Sequence, residues 1–183
     1  NLAGVSASQV EIQSGIQFYD GISTAEIQEI LIRSASDLID LDHVNYQYVA
    51  ARLLLFSLRK QVFGRIHDHP TLIDHVKVNV KKRVYDAEIL DLYTEEEFSK
   101  LQGFIDHDRD YIFTYAGLRQ VVDKYLVQDR STGELYESPQ FMYILISAFI
   151  FSKYPKETRL DYVKKYYDAI SKHKINIPTP IMA

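Results

Sequence analysis

The chain contains no cysteine and no tryptophan among its 183 residues. The lack of cysteine excludes disulfides, thiolate metal sites and thiol redox chemistry within this sequence. Any chemistry of that kind must be supplied from elsewhere. The large side chains available for a core are therefore mostly the 14 tyrosines and nine phenylalanines, whose rings bury extensive apolar area.

The chain also lacks a strong charge of either sign and a long apolar run. Its net charge is -4, with a pI near 5.9, which gives no electrostatic reason to expect nucleic acid or an anionic membrane as a partner. The longest apolar run, 141–151, contains Ser147 and is too short to span a bilayer, and no signal-peptide pattern opens the sequence. We therefore expect a cytoplasmic protein with no nucleic-acid or membrane partner.

No glycine-rich phosphate loop, nucleophile elbow or zinc-helix motif occurs in the sequence. The best candidate for a metal site combines residues 67–69 (His-Asp-His) with Asp74 and His75. Its spacing matches no established site, so a polar loop is the preferred interpretation and no metal ligand is predicted.

A second polar run, at 106–110, gathers one imidazole, three carboxylates and one guanidinium. This is the residue set for general acid and base chemistry. Because neither a nucleophile nor a phosphate loop accompanies it, we interpret the run as an ion-paired junction between two helices. No catalytic residue is predicted.

Helix signals dominate, and the predicted fold class is mainly α with one short β-hairpin. Capping boxes predict helix starts at Ser6, Ser23 and Thr94. Alternating residues at 125–129 and 134–137, around a turn containing Gly133, predict the hairpin. Apolar spacing predicts further helices near 45–63 (ended by Gly64), 71–84, 87–92, 95–105, 114–123, 139–152 (capped by Ser138) and 157–172.

Six segments, in order, resemble the large (alpha, catalytic) subunit of class I ribonucleotide reductase, a ribonucleoside-diphosphate reductase. The resemblance covers essentially the whole chain. The segments are IQFYDGI at 16–22, NYQYVAARL at 45–53, IDHDRD at 105–110, KYLVQD at 124–129, YESPQF at 136–141 and IPTPIM at 177–182.

The resemblance implies an N-terminal ATP-cone, a small helical bundle capped by short strands, followed by helices that precede a catalytic α/β barrel. We expect residues 1–64 to be a partial ATP-cone without its capping strands and 65–175 to be a helical N-terminal domain. Residues 176–183 would be an extended segment leading into a barrel that is absent here. Both ends of the chain look cut, so we expect an N-terminal fragment of the subunit.

The resemblance also assigns allosteric nucleotide contacts. Thr24 matches a nucleotide-contacting threonine at a helix N-terminus, and Lys60 matches a lysine that reaches the phosphates, with Arg59 adding charge beside it. The alternatives are a helix cap and a solvated surface lysine. Gln28 and Ser57 stand where members of the family carry histidines, which removes titratable contacts and leaves discrimination between ATP and dATP open.

Thr179 matches a family residue at the substrate site. It lies between Pro178 and Pro180, and these prolines would hold an extended backbone and pre-organise the contact. The alternative is a linker of polyproline type.

By the same resemblance, the intact enzyme reduces ribonucleoside diphosphates to deoxyribonucleoside diphosphates by thiyl-radical chemistry. Its implied partners are a radical-bearing small (beta) subunit, further copies of itself, and thioredoxin or glutaredoxin as reductant. ATP and dATP are its implied effectors, and no cofactor is expected in this chain. Two alternatives stay open: the N-terminal half of a split subunit, and a stand-alone nucleotide-sensing helical module.

We predict that the 183-residue chain alone reduces no ribonucleotide, because it carries no thiol to form a thiyl radical or a reducing pair. The measurement is an assay of the purified chain with cytidine diphosphate and dithiothreitol. Formation of deoxycytidine diphosphate above a no-protein control would contradict this prediction.

Overall fold

The computed structural model describes residues 2–178, which are mainly helical, so the predicted fold class is confirmed. The described residues form nine α-helices and one 3-10 helix. In chain order these are α1 Ala7–Gly15, α2 Thr24–Asp37, α3 Tyr46–Phe63, α4 Leu72–Lys81, α5 Glu88–Leu92, α6 Glu95–Gln102, the 3-10 helix His107–Ile112, α7 Tyr115–Lys124, α8 Pro139–Ile150 and α9 Arg159–Ser171.

The chain divides into two compact units. Unit 1 comprises Asn1–Leu58 and Tyr111–Asp123, and unit 2 comprises Arg59–Asp110 and Lys124–Ala183. The first division falls within α3, so this helix contributes residues to both units. The 3-10 helix is divided in the same way, after Asp110.

Unit 1 is held by a small apolar cluster around Tyr46. The ring is buried with Val10, Ala35 and Ala50, where leucine and valine side chains pack against it. The Tyr46 hydroxyl accepts the N–H of Ser6 at 3.0 Å and donates to the side chain of Gln9. Ser6 therefore precedes α1 as predicted, but its capping box does not form, because Tyr46 takes the side chain that would have completed it.

In unit 2 the capping box predicted at Thr94 is present and also binds another helix. Glu97 accepts the Thr94 N–H at 2.9 Å, and Glu97 N–H donates to the Thr94 hydroxyl at 3.3 Å. The same carboxylate accepts Nε and Nη2 of Arg159 at 2.8 and 2.6 Å, while the guanidinium lies 4.3 Å from the centre of the Tyr93 ring. The start of α6 is thereby bonded to the start of α9.

Helix α8 is the most apolar helix of unit 2 and packs along α9, and it contributes to the core Phe141, Met142, Tyr143, Ile144 and Ala148. Pro139 stands in its first turn as predicted, but Ser138 makes no capping hydrogen bond, and its hydroxyl is buried without a partner among the described residues. Although α8 is strongly apolar, no helix within residues 2–178 combines the length and hydropathy required to cross a membrane.

The predicted hairpin is present as a turn with one antiparallel bridge, between Gln128 and Leu135. Asp129 N–H donates to the Glu134 carbonyl at 2.9 Å, and Gly133 N–H donates to the Asp129 carbonyl at 2.8 Å. Gly133 has a φ of 74°, a conformation that glycine adopts without strain. The two arms are too short to form a regular strand pair.

We predict that Glu97→Ala lowers the free energy of unfolding by about 3 kcal/mol, because it removes a capping box and leaves the buried Arg159 without its anion. The matched control is Glu96→Ala on the next residue. Glu96 makes an exposed ion pair with Lys100, and its loss should cost under about 0.5 kcal/mol. Urea unfolding of both variants measures the difference, and equal effects would contradict the prediction.

Candidate functional site

The N-terminus of α2, in unit 1, is capped by Ser23. Its hydroxyl accepts the Glu26 N–H at 3.2 Å, and the Glu26 carboxylate accepts the Ser23 N–H at 3.0 Å. Hydrogen bonding from the Ser23 hydroxyl, helped by its backbone N–H, lowers the pKa of Glu26. An ionised carboxylate therefore already occupies the positive end of this helix.

Thr24 is the first residue of α2 and is exposed. Because Ser23 does the capping, the alternative reading of Thr24 as a simple cap is wrong. Within residues 2–178 the Thr24 hydroxyl makes no hydrogen bond, and the N–H groups of Thr24 and Ala25 have no partner. These three polar groups are available to a ligand at the helix N-terminus.

Gln28, one turn further along α2, is half-buried. Its side-chain amide donates to the Leu53 carbonyl of α3 at 2.9 Å, which joins α2 to α3 within unit 1. Ser57, the second position at which the family was expected to carry histidine, lies one turn later on α3 and is also half-buried. Gln28 thus hydrogen-bonds one helix to another, a role that its sequence position did not indicate.

Lys60 and Arg59 lie side by side at the end of α3, in unit 2, but their environments differ completely. Lys60 is exposed in the last turn, where its ammonium extends into solvent. Arg59 is only 1% exposed, and its Nη2 pairs with Asp110 at 3.2 Å and donates to the His107 carbonyl at 2.7 Å. Arg59 thus carries a charge at the end of the same helix, but this charge is paired with Asp110 and is not exposed beside Lys60.

The acid and base run at 106–110 is part of a structural network, as predicted. Asp110 is buried, and Gln140 of α8 donates to its Oδ1 at 2.8 Å. The Tyr167 hydroxyl of α9 donates to Gln140 at 2.7 Å and accepts the Asp106 N–H at 3.0 Å. Burial raises the pKa of Asp110 to about 6 in spite of its bonds to Gln140 and Arg59.

Arg109 completes this junction on the side facing α9. It pairs with Asp106 at 3.3 Å and with Asp168 at 2.8 Å, and it donates to the Ser171 hydroxyl at 2.6 Å. Its guanidinium also lies 4.9 Å from the centre of the Tyr167 ring. Every charged group of the run except the exposed Asp108 is held in this way, so the run connects helices.

Two of the histidines considered for metal binding, His69 and His75, make separate contacts with other side chains. His69 stacks on His107 with 3.7 Å between ring centres and 6° between planes, whereas His75 bonds to Asn79 and Tyr85. Burial is the main cause that lowers the pKa of His69 and His75 to about 4 and that of His107 to about 3. Among residues 2–178 no three side chains of the ligating types approach closely enough to hold a metal ion.

Two features that sequence reasoning missed are the partners of Arg59 and the burial of Glu137. Both depend on contacts between residues about 50 positions apart, such as Arg59 to Asp110 and Tyr85 to Glu137. One local signal was available, because Glu137 follows the buried Leu135 by two positions in an alternating run and so shares its inward face. Thr179 lies outside the described residues.

Comparison with known proteins places two family models on the chain. A family described as "ATP cone domain" matches residues 3–61, and one described as "Ribonucleotide reductase, all-alpha domain" matches residues 111–183. The first match includes Thr24 and Lys60. The second begins just after the ion-paired run and ends beyond Thr179.

Curated relatives align along essentially the whole chain. The chain is 58% identical to ribonucleoside-diphosphate reductase subunit alpha of Haemophilus influenzae over 182 residues. It is 56% identical to ribonucleoside-diphosphate reductase 1 subunit alpha of Escherichia coli, also over 182 residues. The subunit alpha of Enterobacteria phage T4 is 42% identical over 98% of the chain. The chain spans 24% of the length of each of these relatives.

We predict that the stacked histidines make unit 2 sensitive to acid. A folded pKa of about 3 for His107, against the ordinary 6.5, means that the unfolded state binds one more proton between these values, so stability falls as pH falls below 6.5. His107→Phe should reduce this dependence by about one proton, roughly 1.4 kcal/mol per pH unit.

Urea unfolding between pH 4.5 and 6.5 measures this dependence. Ile112→Phe is the control, because it adds the same ring to an exposed position of the same 3-10 helix and alters no titratable group. If the free energy of unfolding varies with pH in the same way for wild type and His107→Phe, the prediction is contradicted. The ring of His107 would then take up its proton in the folded state as readily as in the unfolded state.

Proposed function

Because the chain belongs to the ribonucleoside-diphosphate reductase alpha-subunit family, we propose that it forms the nucleotide-sensing N-terminal part of such a subunit. The main support for this proposal is the sequence identity of 56–58% between the chain and curated alpha subunits along the full length of the chain. The order of the two family matches, ATP cone before all-alpha domain, supports the same assignment. We further propose that residues 1–64 act as the helical part of the cone, 65–175 as the helical domain and 176–183 as the segment leading toward a barrel.

The intact subunit, on this proposal, reduces ribonucleoside diphosphates in the cytoplasm by thiyl-radical chemistry. It works with a radical-bearing beta subunit and with thioredoxin or glutaredoxin, and it associates with further copies of itself. Because this chain has no cysteine, its own contribution is regulatory, apart from Thr179, which would contact substrate. The thiols that carry out the reduction belong to the rest of the subunit.

Thr24 and Lys60 are the residues that we propose for the effector, ATP or dATP, and they suit different parts of it. Lys60 is an exposed ammonium at a helix end, which is suited to phosphate oxygens. Ionised Glu26 beside Thr24 repels a second anion. The Thr24 hydroxyl and the neighbouring N–H groups therefore suit the neutral base or ribose better than the phosphates.

We predict that Lys60→Ala in the intact alpha subunit raises the Kd for ATP about tenfold or more, because a charge-assisted bond to phosphate is lost. Thr24→Ala should raise it by a smaller factor, about threefold to tenfold, since one neutral hydrogen bond is removed. Isothermal titration calorimetry with ATP and with dATP measures both effects.

Lys81→Ala is the matched control, since Lys81 is also an exposed lysine in the last turn of a helix, α4. It should leave nucleotide affinity unchanged. Reductase activity assayed without effector should stay near wild type in all three variants, which separates loss of sensing from loss of fold. Unchanged ATP and dATP affinity in Lys60→Ala and Thr24→Ala would rule out the proposed contacts.

A further inference from the structure

An open cleft of about 420 Å³ lies wholly within unit 2. One wall is α8, which contributes Met142, Leu145, Ile146, Phe149 and Ile150. The remaining apolar lining comes from the hairpin and from the residues around α5. Phe149 is 53% exposed, so a large aromatic ring stands at the mouth. Size and lining are those of a small-molecule site, in which apolar walls surround a few polar groups.

Glu137 is the polar group set deepest in this cleft, with only 3% of its surface exposed. One carboxylate oxygen accepts the Val127 N–H at 2.9 Å, and the other accepts the Tyr85 hydroxyl. An ionised carboxylate offers about four acceptor positions. Two donors therefore leave part of its capacity unused by the protein groups that contact it.

The lining of the cleft includes acidic side chains but no lysine or arginine. The acidic side chains are those of Glu137 and Asp86. No ion pair among the described residues involves Glu137, in contrast to buried Asp110, which has Arg59. A buried carboxylate without a cation is costly, so it either takes up a proton or gains a cationic partner.

We propose that this cleft binds a small organic cation, with its apolar or aromatic body along α8 and its protonated amine on the Glu137 carboxylate. The two acids disfavour an anionic ligand, and a neutral apolar ligand would leave the ionised form of Glu137 without a counter-charge. Phe149 and Tyr125, which also line the cleft, offer ring faces that attract a cation as well as an apolar group.

The affinity should then depend on the ionisation of Glu137, whose pKa burial raises to about 7. The other groups facing it are Tyr85, whose pKa burial also raises, and Asp86 in the cleft lining. Behind Tyr85 lies His75, whose pKa is lowered to about 4. Since His75 is neutral above that pH, a cation should bind more tightly at pH 8 than at pH 6, as Glu137 becomes ionised.

The test is titration of the 183-residue chain with three probes that share one body and differ in charge: phenylbutylamine, phenylbutanol and phenylbutyrate. Nitrogen-15 NMR follows the Val127 amide, which donates to Glu137. At pH 8 the amine should bind about tenfold more tightly than the alcohol, with phenylbutyrate weakest. At pH 6 the advantage of the amine over the alcohol should shrink severalfold.

Glu137→Gln should abolish the preference for the amine while leaving the weak binding of the alcohol. Glu134→Gln is the matched control, an exposed glutamate on the same hairpin that pairs with Lys82 and does not line the cleft. If Glu137→Gln does not fold, the pH dependence in the unchanged chain decides. Equal affinity for amine and alcohol at pH 8, or no shift of the Val127 amide, would overturn the proposal without affecting the role of Lys60.

Discussion

The packing of unit 2 depends on one buried ion pair, Arg59 with Asp110. Removing two charges from water is costly, and further hydrogen bonds to both members of the pair offset part of that cost. Gln140 and the His107 carbonyl make these bonds, and Tyr167 then bonds to Gln140. These bonds join the 3-10 helix, α8 and α9 to one another. The ion pair of Glu97 with Arg159 makes a second such connection at the other end of α9.

This network accounts for the acid and base groups of the run at 106–110 as connections between helices. The run at 106–110 has the composition of an active site, but its groups bond to one another and to the neighbouring helices. The groups that we propose for ligand binding lie elsewhere: Thr24 and Lys60 at helix ends, and Glu137 beneath an apolar cleft. Binding of nucleotide and of a small cation are the functions that these groups suit.

Local features of the fold could be predicted from the sequence because they depend on neighbours in the chain. The capping boxes at Ser23 and Thr94 and the turn at Gly133 form as expected. The box at Ser6 fails because Tyr46, 40 positions away, bonds to Ser6 and Gln9. The pairing of Arg59 was missed for the same reason, since its partner is 51 positions away and no local pattern indicates it.

We propose that the N-terminus of α2 and the end of α3 take part in sensing adenine nucleotide. Amide hydrogen exchange on the intact alpha subunit, with and without ATP, tests it most directly. We expect the first turn of α2, at Thr24 and Ala25, and the last turn of α3, around Lys60, to gain protection with ATP, while α4 exchanges at its original rate. Unchanged exchange at both helix ends under saturating ATP would exclude a role for these helix ends in nucleotide binding.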